Sequence, residues 1–247
     1  MSSQFYTSIA PHYQHIFPFN PAQIEFLKHV LPYNGARVLD VGCGTGELAF
    51  ALTHFGFPTW AIDFDESMID TAKNTKPEDT MFPVFEQLDM RMIDQHYPEL
   101  CFDTVICFGN TLVHLLSDMD ILQFFKGAWK VLSAEGKLTF QILNYDYILD
   151  NQIKNLPIIE NEHIRFEREY HFQEESEFIN FQTRLFVKES NKEISNTVKL
   201  YPIRQERIKA LLMKAGFGDI KMFGSFKRDE LTSQSLSLVI SCEKQAM

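Results

Sequence analysis

Paired cysteine motifs are missing from this sequence, which has four cysteines in 247 residues. None of the four belongs to a C-x-x-C pair, and no cysteine and histidine residues have the spacing typical of a zinc site. We therefore expect no metal centre. Such a pattern is typical of reduced, mostly buried thiols in a cytoplasmic protein. The cysteines are Cys43, Cys101, Cys107 and Cys242.

Signals for export or membrane insertion are also missing. The first residues, M-S-S-Q-F-Y, contain neither the basic region nor the apolar region of a secretory signal. No stretch reaches the roughly 18 consecutive apolar residues that a membrane-spanning helix requires. Together with the unpaired cysteines, these absences predict a cytoplasmic protein with no membrane partner.

Positive charge is scarce relative to negative charge. Lys and Arg together number 23 and Asp and Glu number 33, so the formal net charge is −10. An acidic surface is a poor partner for phosphate backbones or anionic lipid, so we expect no nucleic-acid partner. Hydrophobic residues make up 45% and charged residues 23%, which excludes a mainly disordered chain. The 23 phenylalanines predict a core rich in aromatic rings.

Short apolar runs alternate with amphipathic segments over the first 150 residues. The residues at 118–132 have apolar side chains at helical spacing, and a further helix is predicted from 47 to 55. Strands alternating with helices through short loops predict an α/β fold, a Rossmann-like, doubly wound and mostly parallel sheet. The predicted strands of this sheet are 37–41, 59–63, 84–88, 102–108 and 137–143.

The pattern changes after residue 150. Apolar and polar residues alternate in three segments up to residue 201, which predicts an antiparallel meander inserted into the α/β unit. A helix over 204–215, ended by Gly216, and two closing strands complete the chain. We therefore expect an N-terminal arm or lid over 1–20, an α/β domain over 21–150 and 201–247, and an insertion over 151–200 that covers an acceptor site.

A glycine-rich loop follows the first predicted strand. Its sequence, V-L-D-V-G-C-G-T-G-E over 38–47, has the spacing G-x-G-x-G, whereas a nicotinamide-binding loop has G-x-G-x-x-G/A. Glu47 occupies the place of the third small residue, and Asp40 precedes the loop. Both carboxylates would repel a pyrophosphate. The loop therefore favours a ligand with positive charge, and we expect no binding of NAD.

Acidic residues also follow the next two predicted strands. Asp63 ends the second strand, where a carboxylate can accept hydrogen bonds from both hydroxyls of a ribose. Asp89 follows the third strand and can accept a hydrogen bond from an exocyclic amine such as that of adenine. The backbone amide of Met90 would then face the ring.

These features together resemble the class I S-adenosylmethionine-dependent methyltransferases. The matching runs are V-L-D-V-G-C-G-T-G, A-I-D-F-D-E-S-M, Q-L-D-M and F-D-T-V-I-C, within about residues 35–145. The resemblance implies S-adenosylmethionine as cofactor and S-adenosylhomocysteine as product. It implies that the loop contacts the methionine part, that Asp63 holds the ribose, and that Asp89, Phe64 and Met90 surround the adenine. The cofactor-binding candidates are Tyr6, Asp40, Gly42, Cys43, Gly44, Gly46, Asp63, Phe64, Met68, Asp89, Met90 and Phe108.

A narrower similarity to the glycine N-methyltransferase branch lies downstream. It rests on C-F-G-N-T-L-V-H-L over 107–115, N-Y-D over 144–146, Y-P over 201–202 and G-S-F-K over 224–227. This resemblance implies methylation of a small amine. That branch has an arginine directly before Asn-Tyr-Asp that binds the substrate carboxylate, and here the residue is Leu143. Glycine itself is therefore not expected to be the acceptor.

Four residues are candidates for catalysis at this predicted site. Asn110 would orient an acceptor, and His114 would act as a base or as a hydrogen-bond donor. Tyr145 faces the same crevice, and Tyr13 lies in the arm that related enzymes fold over the cofactor. The sequence thus predicts methylation of a small molecule, most simply at nitrogen, by a monomer or homodimer. The alternatives are an RNA or protein methyltransferase and a non-catalytic protein that binds S-adenosylmethionine.

Overall fold

The computed structural model describes residues 3–173 and 176–245. In chain order its strands are β1 (Val38–Val41), β2 (Thr59–Asp63), β3 (Val84–Gln87), β4 (Phe102–Cys107), β5 (Leu132–Leu143), β6 (Ile159–Glu160), β7 (Ile164–Phe172), β8 (Ile179–Val187), β9 (Lys192–Leu200), β10 (Phe217–Phe223) and β11 (Ser237–Lys244). Its α-helices are α1 (Ser3–Ile9), α2 (Tyr13–Ile16), α3 (Pro21–Leu27), α4 (Glu47–His54), α5 (Glu66–Thr75), α6 (Ile93–His96), α7 (Asp118–Val131), α8 (Tyr145–Asp150) and α9 (Gln205–Ala215).

Seven strands form the central sheet in the order β10-β11-β5-β4-β1-β2-β3. Five neighbouring strands of this sheet, β5, β4, β1, β2 and β3, are parallel to one another. Strand β11 is antiparallel to both of its neighbours, β5 and β10. Every residue of β1 and β4 is buried, as expected of parallel strands that helices cover on both faces. The Rossmann-like fold predicted from the alternating pattern is confirmed.

Local signals place the ends of two helices. The carboxylate of Asp65 accepts hydrogen bonds from the backbone amides of Ser67 and Met68, so Asp65 caps the N-terminus of α5. Gly216 has a φ of 99°, and α9 ends there as the sequence predicts. One boundary differs from prediction, because β5 begins at Leu132 immediately after α7 and continues through Gly136.

The second sheet has the order β6-β7-β8-β9 and is antiparallel throughout. It confirms that strands after residue 150 form a meander. Along β7, Ile164, Phe166 and Tyr170 are buried at alternate positions, so this face of the sheet points into the protein. The domain boundaries proposed from the sequence remain predictions.

The N-terminal arm is helical over residues 3–16, although its sequence shows weak periodicity, and it buries several large apolar side chains. Phe5, Ile9 and Ile16 are each at most 5% exposed. They pack in one cluster with Met68 of α5 and with residues of the second sheet such as Phe166. The arm therefore joins the α/β unit to the inserted sheet. Within the described ranges, no helix has the length and apolar character that crossing a membrane would need.

Candidate functional site

The glycine loop between β1 and α4 has a backbone conformation in which residues with side chains would be strained or would clash with neighbouring atoms. Gly42 and Gly44 have φ values of 74° and 57°, in the left-handed region that favours glycine. A Cβ atom at Gly44 would lie 2.8 Å from the ring of Tyr13, and one at Gly42 would collide with Thr111. The absent side chains therefore allow the arm and the loop after β4 to approach the glycine loop closely.

Asp63 holds the glycine loop in place from the end of β2. One of its carboxylate oxygens accepts a hydrogen bond from the amide of Gly44 at 2.9 Å, and the other accepts from the amide of Asp65 at 2.9 Å. Burial raises the pKa of Asp63 to about 6. Each oxygen keeps a lone pair, so the carboxylate remains able to accept hydrogen bonds from ribose hydroxyls.

Asp40 is the least satisfied acidic group of the site. It is 3% exposed, and its Oδ2 has no hydrogen-bond partner among the described residues. Burial, with the nearby charges of Asp63 and Glu47, raises the pKa of Asp40 to about 7. A buried carboxylate without a partner is stabilised by a cation, so this position fits the ammonium group of a methionine moiety.

Two cavities meet above the carboxyl ends of β1 and β4. The smaller is lined by Asp63, Phe64 and Met90 among others, which fits an adenosine moiety whose ribose lies beside the Asp63 carboxylate. The larger has a volume of about 400 Å³ and runs from Asp40 and Glu47 to the inner face of the second sheet. The residues that line both cavities are Tyr6, Tyr13, Gly42, Gly109 and His114.

His114 stands at this junction and is bonded to the arm. Its Nε2 lies 2.7 Å from the hydroxyl oxygen of Tyr6, and the two rings meet edge to face with centroids 5.4 Å apart. Burial lowers the pKa of His114 to about 4, so the imidazole is neutral at pH 7. Burial also raises the pKa of the Tyr6 hydroxyl, which therefore stays protonated. The junction is thus closed by an uncharged hydrogen-bonded pair.

Asn110 forms part of the wall of the larger cavity, with a φ of 65° at the turn after β4. Its amide nitrogen donates to the hydroxyl of Tyr145 at 3.1 Å, and its amide oxygen accepts from the backbone amide of Leu143 at 2.9 Å. Tyr145 is 1% exposed and contacts Asn110 without lining either of the two cavities. Burial raises the pKa of Tyr145 to about 12. Tyr145 therefore supports Asn110 from behind the cavity wall, and its catalytic role stays a prediction.

Asp89 is already engaged by a residue that the sequence analysis did not identify. Its carboxylate accepts from the guanidinium of Arg91 at 2.6 Å, and Arg91 also donates to Asp120 at 2.8 Å. Burial alone would raise the pKa of Asp89, but the hydrogen bonds from Arg91 hold it below its ordinary value. The Asp89 oxygens that were predicted to accept a hydrogen bond from the adenine amine thus already accept hydrogen bonds from Arg91.

The remaining cofactor candidates divide between the cavities and the packed interior. Cys43 and Phe108 line the larger cavity, and Met90 lines the smaller one. Met68 is fully buried under the arm, so its contacts are those of core packing. Gly46 precedes α4 beside the ring of Phe85 and lines neither of the two cavities.

Three further residues, outside the candidates named from the sequence, line the cavities. Thr111 contacts Gly42, and the side-chain oxygen of Gln141 accepts a hydrogen bond from the amide of Gly109 at 3.0 Å. Arg168 of β7 lines the larger cavity from the inserted sheet. Thr111 falls within the quoted run over 107–115, whereas no motif singles out Gln141 or Arg168, whose positions at the cavity depend on packing between distant segments. Among the described residues, no group of three or more His, Cys, Asp or Glu side chains could hold a metal ion.

Comparisons with known sequences agree with this geometry. A family described as a methyltransferase domain matches residues 38–136. A glycine/sarcosine N-methyltransferase of Aphanothece halophytica is 28% identical over 203 residues, covering 82% of this chain and 74% of that protein. The putative methyltransferase YqeM of Bacillus subtilis is 34% identical over 118 residues, covering 48% of this chain and 46% of that protein.

Solved structures share the whole architecture. An S-adenosylmethionine-dependent methyltransferase from Clostridium acetobutylicum superimposes with a TM-score of 0.80 at 18% identity, covering 98% of this chain and 100% of that one. The CcbJ methyltransferase of Streptomyces caelestis gives a TM-score of 0.81 at 17% identity, covering 100% of both chains. CalS10 of Micromonospora echinaspora, an amino pentose methyltransferase solved with S-adenosylmethionine bound, gives 0.64 at 16% identity, covering 99% and 92%. At these identities the likeness concerns the fold.

Proposed function

Because the chain belongs to the class I S-adenosylmethionine-dependent methyltransferases, we propose that it methylates a small molecule at nitrogen. The observation that carries the proposal is the junction of the two cavities at Tyr6 and His114. A cavity of about 400 Å³ has the size of a site for a small organic molecule, and a polymer would need an open groove. The similarity to glycine/sarcosine N-methyltransferases supports nitrogen as the accepting atom.

S-adenosylmethionine supplies a methyl group on a positively charged sulfur atom. In transfer to nitrogen, the lone pair of the neutral amine would form the carbon–nitrogen bond, and the carbon–sulfur electron pair would stay on sulfur in S-adenosylhomocysteine. The methylated ammonium product would then release its proton to water. The reaction needs little acid or base assistance, so the protein acts mainly by alignment and by exclusion of water. The arm and the inserted sheet, which pack on one another over the cavities, are suited to both tasks.

Because His114 is neutral, the proposal gives it an orienting role and not the role of a base. An imidazole with a pKa of about 4 is a weak base for an alkylammonium group. Ordinary amino groups have pKa values of about 8 to 10, and each unit of mismatch corresponds to about 1.4 kcal/mol. The proposal therefore assigns His114 a hydrogen bond that orients the amine. The acceptor would enter as the neutral amine, which a desolvated cavity favours over the ammonium form.

The proposal extends to the location of the protein and to the role of the insertion. Four free thiols support a cytoplasmic location, where cysteines stay reduced. The inserted sheet contributes Phe166, Arg168 and Tyr170 to the larger cavity, which supports its assignment as the cover of the acceptor site.

An acceptor screen with labelled S-adenosylmethionine tests the proposal. Primary and secondary amines, amino acids and amino sugars form one set, and phenols and short RNA form the contrasting set. We expect formation of S-adenosylhomocysteine with at least one amine, and mass spectrometry should place the added methyl on nitrogen. Methylation confined to a phenol or to RNA contradicts the proposal, and binding without turnover on every compound favours the non-catalytic alternative.

A further inference from the structure

The inner face of the second sheet carries an arginine among hydrophobic residues. Arg168 lies between Phe166 and Tyr170 on the buried side of β7, and all three line the larger cavity. Its neighbour across the sheet is Thr183 of β8, which is 1% exposed. A charged side chain at such a position is rare unless a partner compensates its charge.

Arg168 has no such partner among the described residues. Its Nη2 donates to the carbonyl of Pro157 at 2.7 Å, but its buried Nε has no hydrogen-bond partner in the part of the chain that the structure describes. The same holds for the hydroxyl of Thr183. The guanidinium lies 6.0 Å from the ring centroid of Phe166, a contact that offsets only part of the loss of hydration.

Two arginines on the outer face of the sheet show the contrast. Arg165 contacts Glu160 at 2.9 Å and Glu167 at 3.0 Å, and Arg184 contacts Glu167 at 2.9 Å. Within the described ranges, no carboxylate lies within 4.0 Å of the Arg168 guanidinium. The outer-face arginines Arg165 and Arg184 are therefore paired with carboxylates, whereas Arg168, which lines the cavity, has no such pair in the described part of the chain.

Charge is distributed unevenly along the cavity. The carboxylates of Asp40 and Glu47 line its cofactor end, whereas Arg168 lines it from the inserted sheet. Leu143 occupies another part of the wall and offers only apolar surface. An acceptor with an amine near His114 and an anionic group toward the inserted sheet would complement this arrangement.

We propose that Arg168 binds a carboxylate group of the methyl acceptor, which makes the acceptor an amine that also carries an acid. This inference rests on the proposed function, since it names the class of compound that fills the same cavity. Guanidinium and carboxylate pair through parallel hydrogen bonds, and the free Nε supplies one of the donors such a pair requires. The apolar lining from Leu143 and Phe166 would contact the body of the acceptor.

A titration that needs no turnover tests the inference. The complex with S-adenosylhomocysteine is titrated with acetate and phenylacetate and with the amides acetamide and phenylacetamide. The variants are Arg168→Gln, Arg168→Lys and the matched control Arg165→Gln, which removes a charge from the outer face of the same strand. Calorimetry of S-adenosylhomocysteine binding and the melting temperature verify that each variant is folded.

We expect the wild type and Arg165→Gln to bind at least one acid about tenfold or more tightly than its amide. In Arg168→Gln the preference should fall to about twofold or less, and Arg168→Lys should retain part of it. Equal binding of acid and amide by the wild type, no measurable binding of either acid, or a preference that survives in Arg168→Gln overturns the inference. Amine methylation without any preference for acids would leave the proposed function standing and remove only the role of Arg168.

Discussion

Tyr6 and His114 are 108 positions apart in the chain, and their side chains meet at 2.7 Å between the hydroxyl oxygen and Nε2. The contact joins the N-terminal arm to the turn after β4, and both residues line both cavities. The arm is therefore part of the wall between the two cavities, which the proposed function assigns to cofactor and acceptor. The packing of the arm against the turn after β4 brings the two side chains together. The same packing removes water from the imidazole and so keeps His114 neutral.

Replacement of Tyr6 by Phe should reduce turnover more than cofactor binding. The ring packing is kept, but the hydrogen bond that fixes the His114 imidazole is lost. We expect kcat to fall about tenfold or more, in line with loss of about 1.5 kcal/mol of orientation. The affinity for S-adenosylhomocysteine, measured by calorimetry, should change little. A fall in affinity that accounts for the whole loss of activity would contradict this role.

The pH profile of the reaction should follow the acceptor and not His114. With a pKa of about 4, His114 does not change its charge between pH 5.5 and 9. At saturating S-adenosylmethionine we therefore expect activity to rise with pH as the acceptor amine loses its proton, with no inflection near pH 6.5 that depends on His114. A profile with an inflection near pH 6.5 that disappears in His114→Asn would show that His114 titrates and acts as a base.

Asp63→Ala should weaken binding of S-adenosylhomocysteine. The substitution removes the acceptor for ribose hydroxyls and also the 2.9 Å hydrogen bond that holds Gly44. We expect a loss of about 1.5–3 kcal/mol, the range for hydrogen bonds to a charged group. Asp70→Ala is a matched control, because Asp70 is an exposed acid on the neighbouring helix α5. Unchanged affinity in Asp63→Ala would mean that the ribose lies elsewhere.

Asp89→Asn should have a smaller effect than Asp63→Ala. The carboxylate of Asp89 is shared with Arg91, so an amide at this position still offers one oxygen acceptor to an adenine amine. We expect a loss of cofactor affinity below about 1 kcal/mol, with some loss of stability because Arg91 gives up a partner. Parallel titration of both variants decides the order, and a larger effect of Asp89→Asn would restore Asp89 as the main adenine contact.

Cofactor affinity should fall as the pH drops through 7. A cationic group binds the ionised form of Asp40, whose pKa in the free protein is about 7. Acidification therefore protonates the carboxylate and opposes binding. Titration of S-adenosylhomocysteine between pH 5.5 and 8 should show this dependence in the wild type and a flatter one in Asp40→Asn.

The same group has the opposite effect on the free protein. A carboxyl group with a raised pKa binds more protons in the folded state than in the unfolded state, so its contribution to stability decreases as the pH rises from about 4 to 7. Asp40→Asn should therefore gain in stability relative to the wild type across this range, as measured by urea unfolding without cofactor. A stability difference that does not vary with pH would show that Asp40 ionises at its ordinary pKa.

The amino-acid sequence by itself determined the fold class and predicted where the cofactor site lies. Apolar runs and helical periodicity are local properties, and they predict β1 to β5 to within a few residues, apart from the early start of β5 at Leu132. The glycine loop and Asp63 are also readable locally. In a parallel sheet, residues that follow the strands lie at one edge, so Asp40, Asp63 and Asp89 were expected to be neighbours.

Only the tertiary structure showed which of these carboxylates still have an oxygen without a hydrogen-bond partner within the described ranges. Asp89 meets Arg91 and, through it, Asp120, while Asp40 keeps an oxygen without a partner among the described residues. Arg165 and Arg168 are three positions apart in one strand, yet one is ion-paired outside and the other lines the cavity. Such differences depend on strand register and on side chains from distant segments. Local sequence does not encode these contacts, because the free energy of a charged group depends on what the folded chain packs around it.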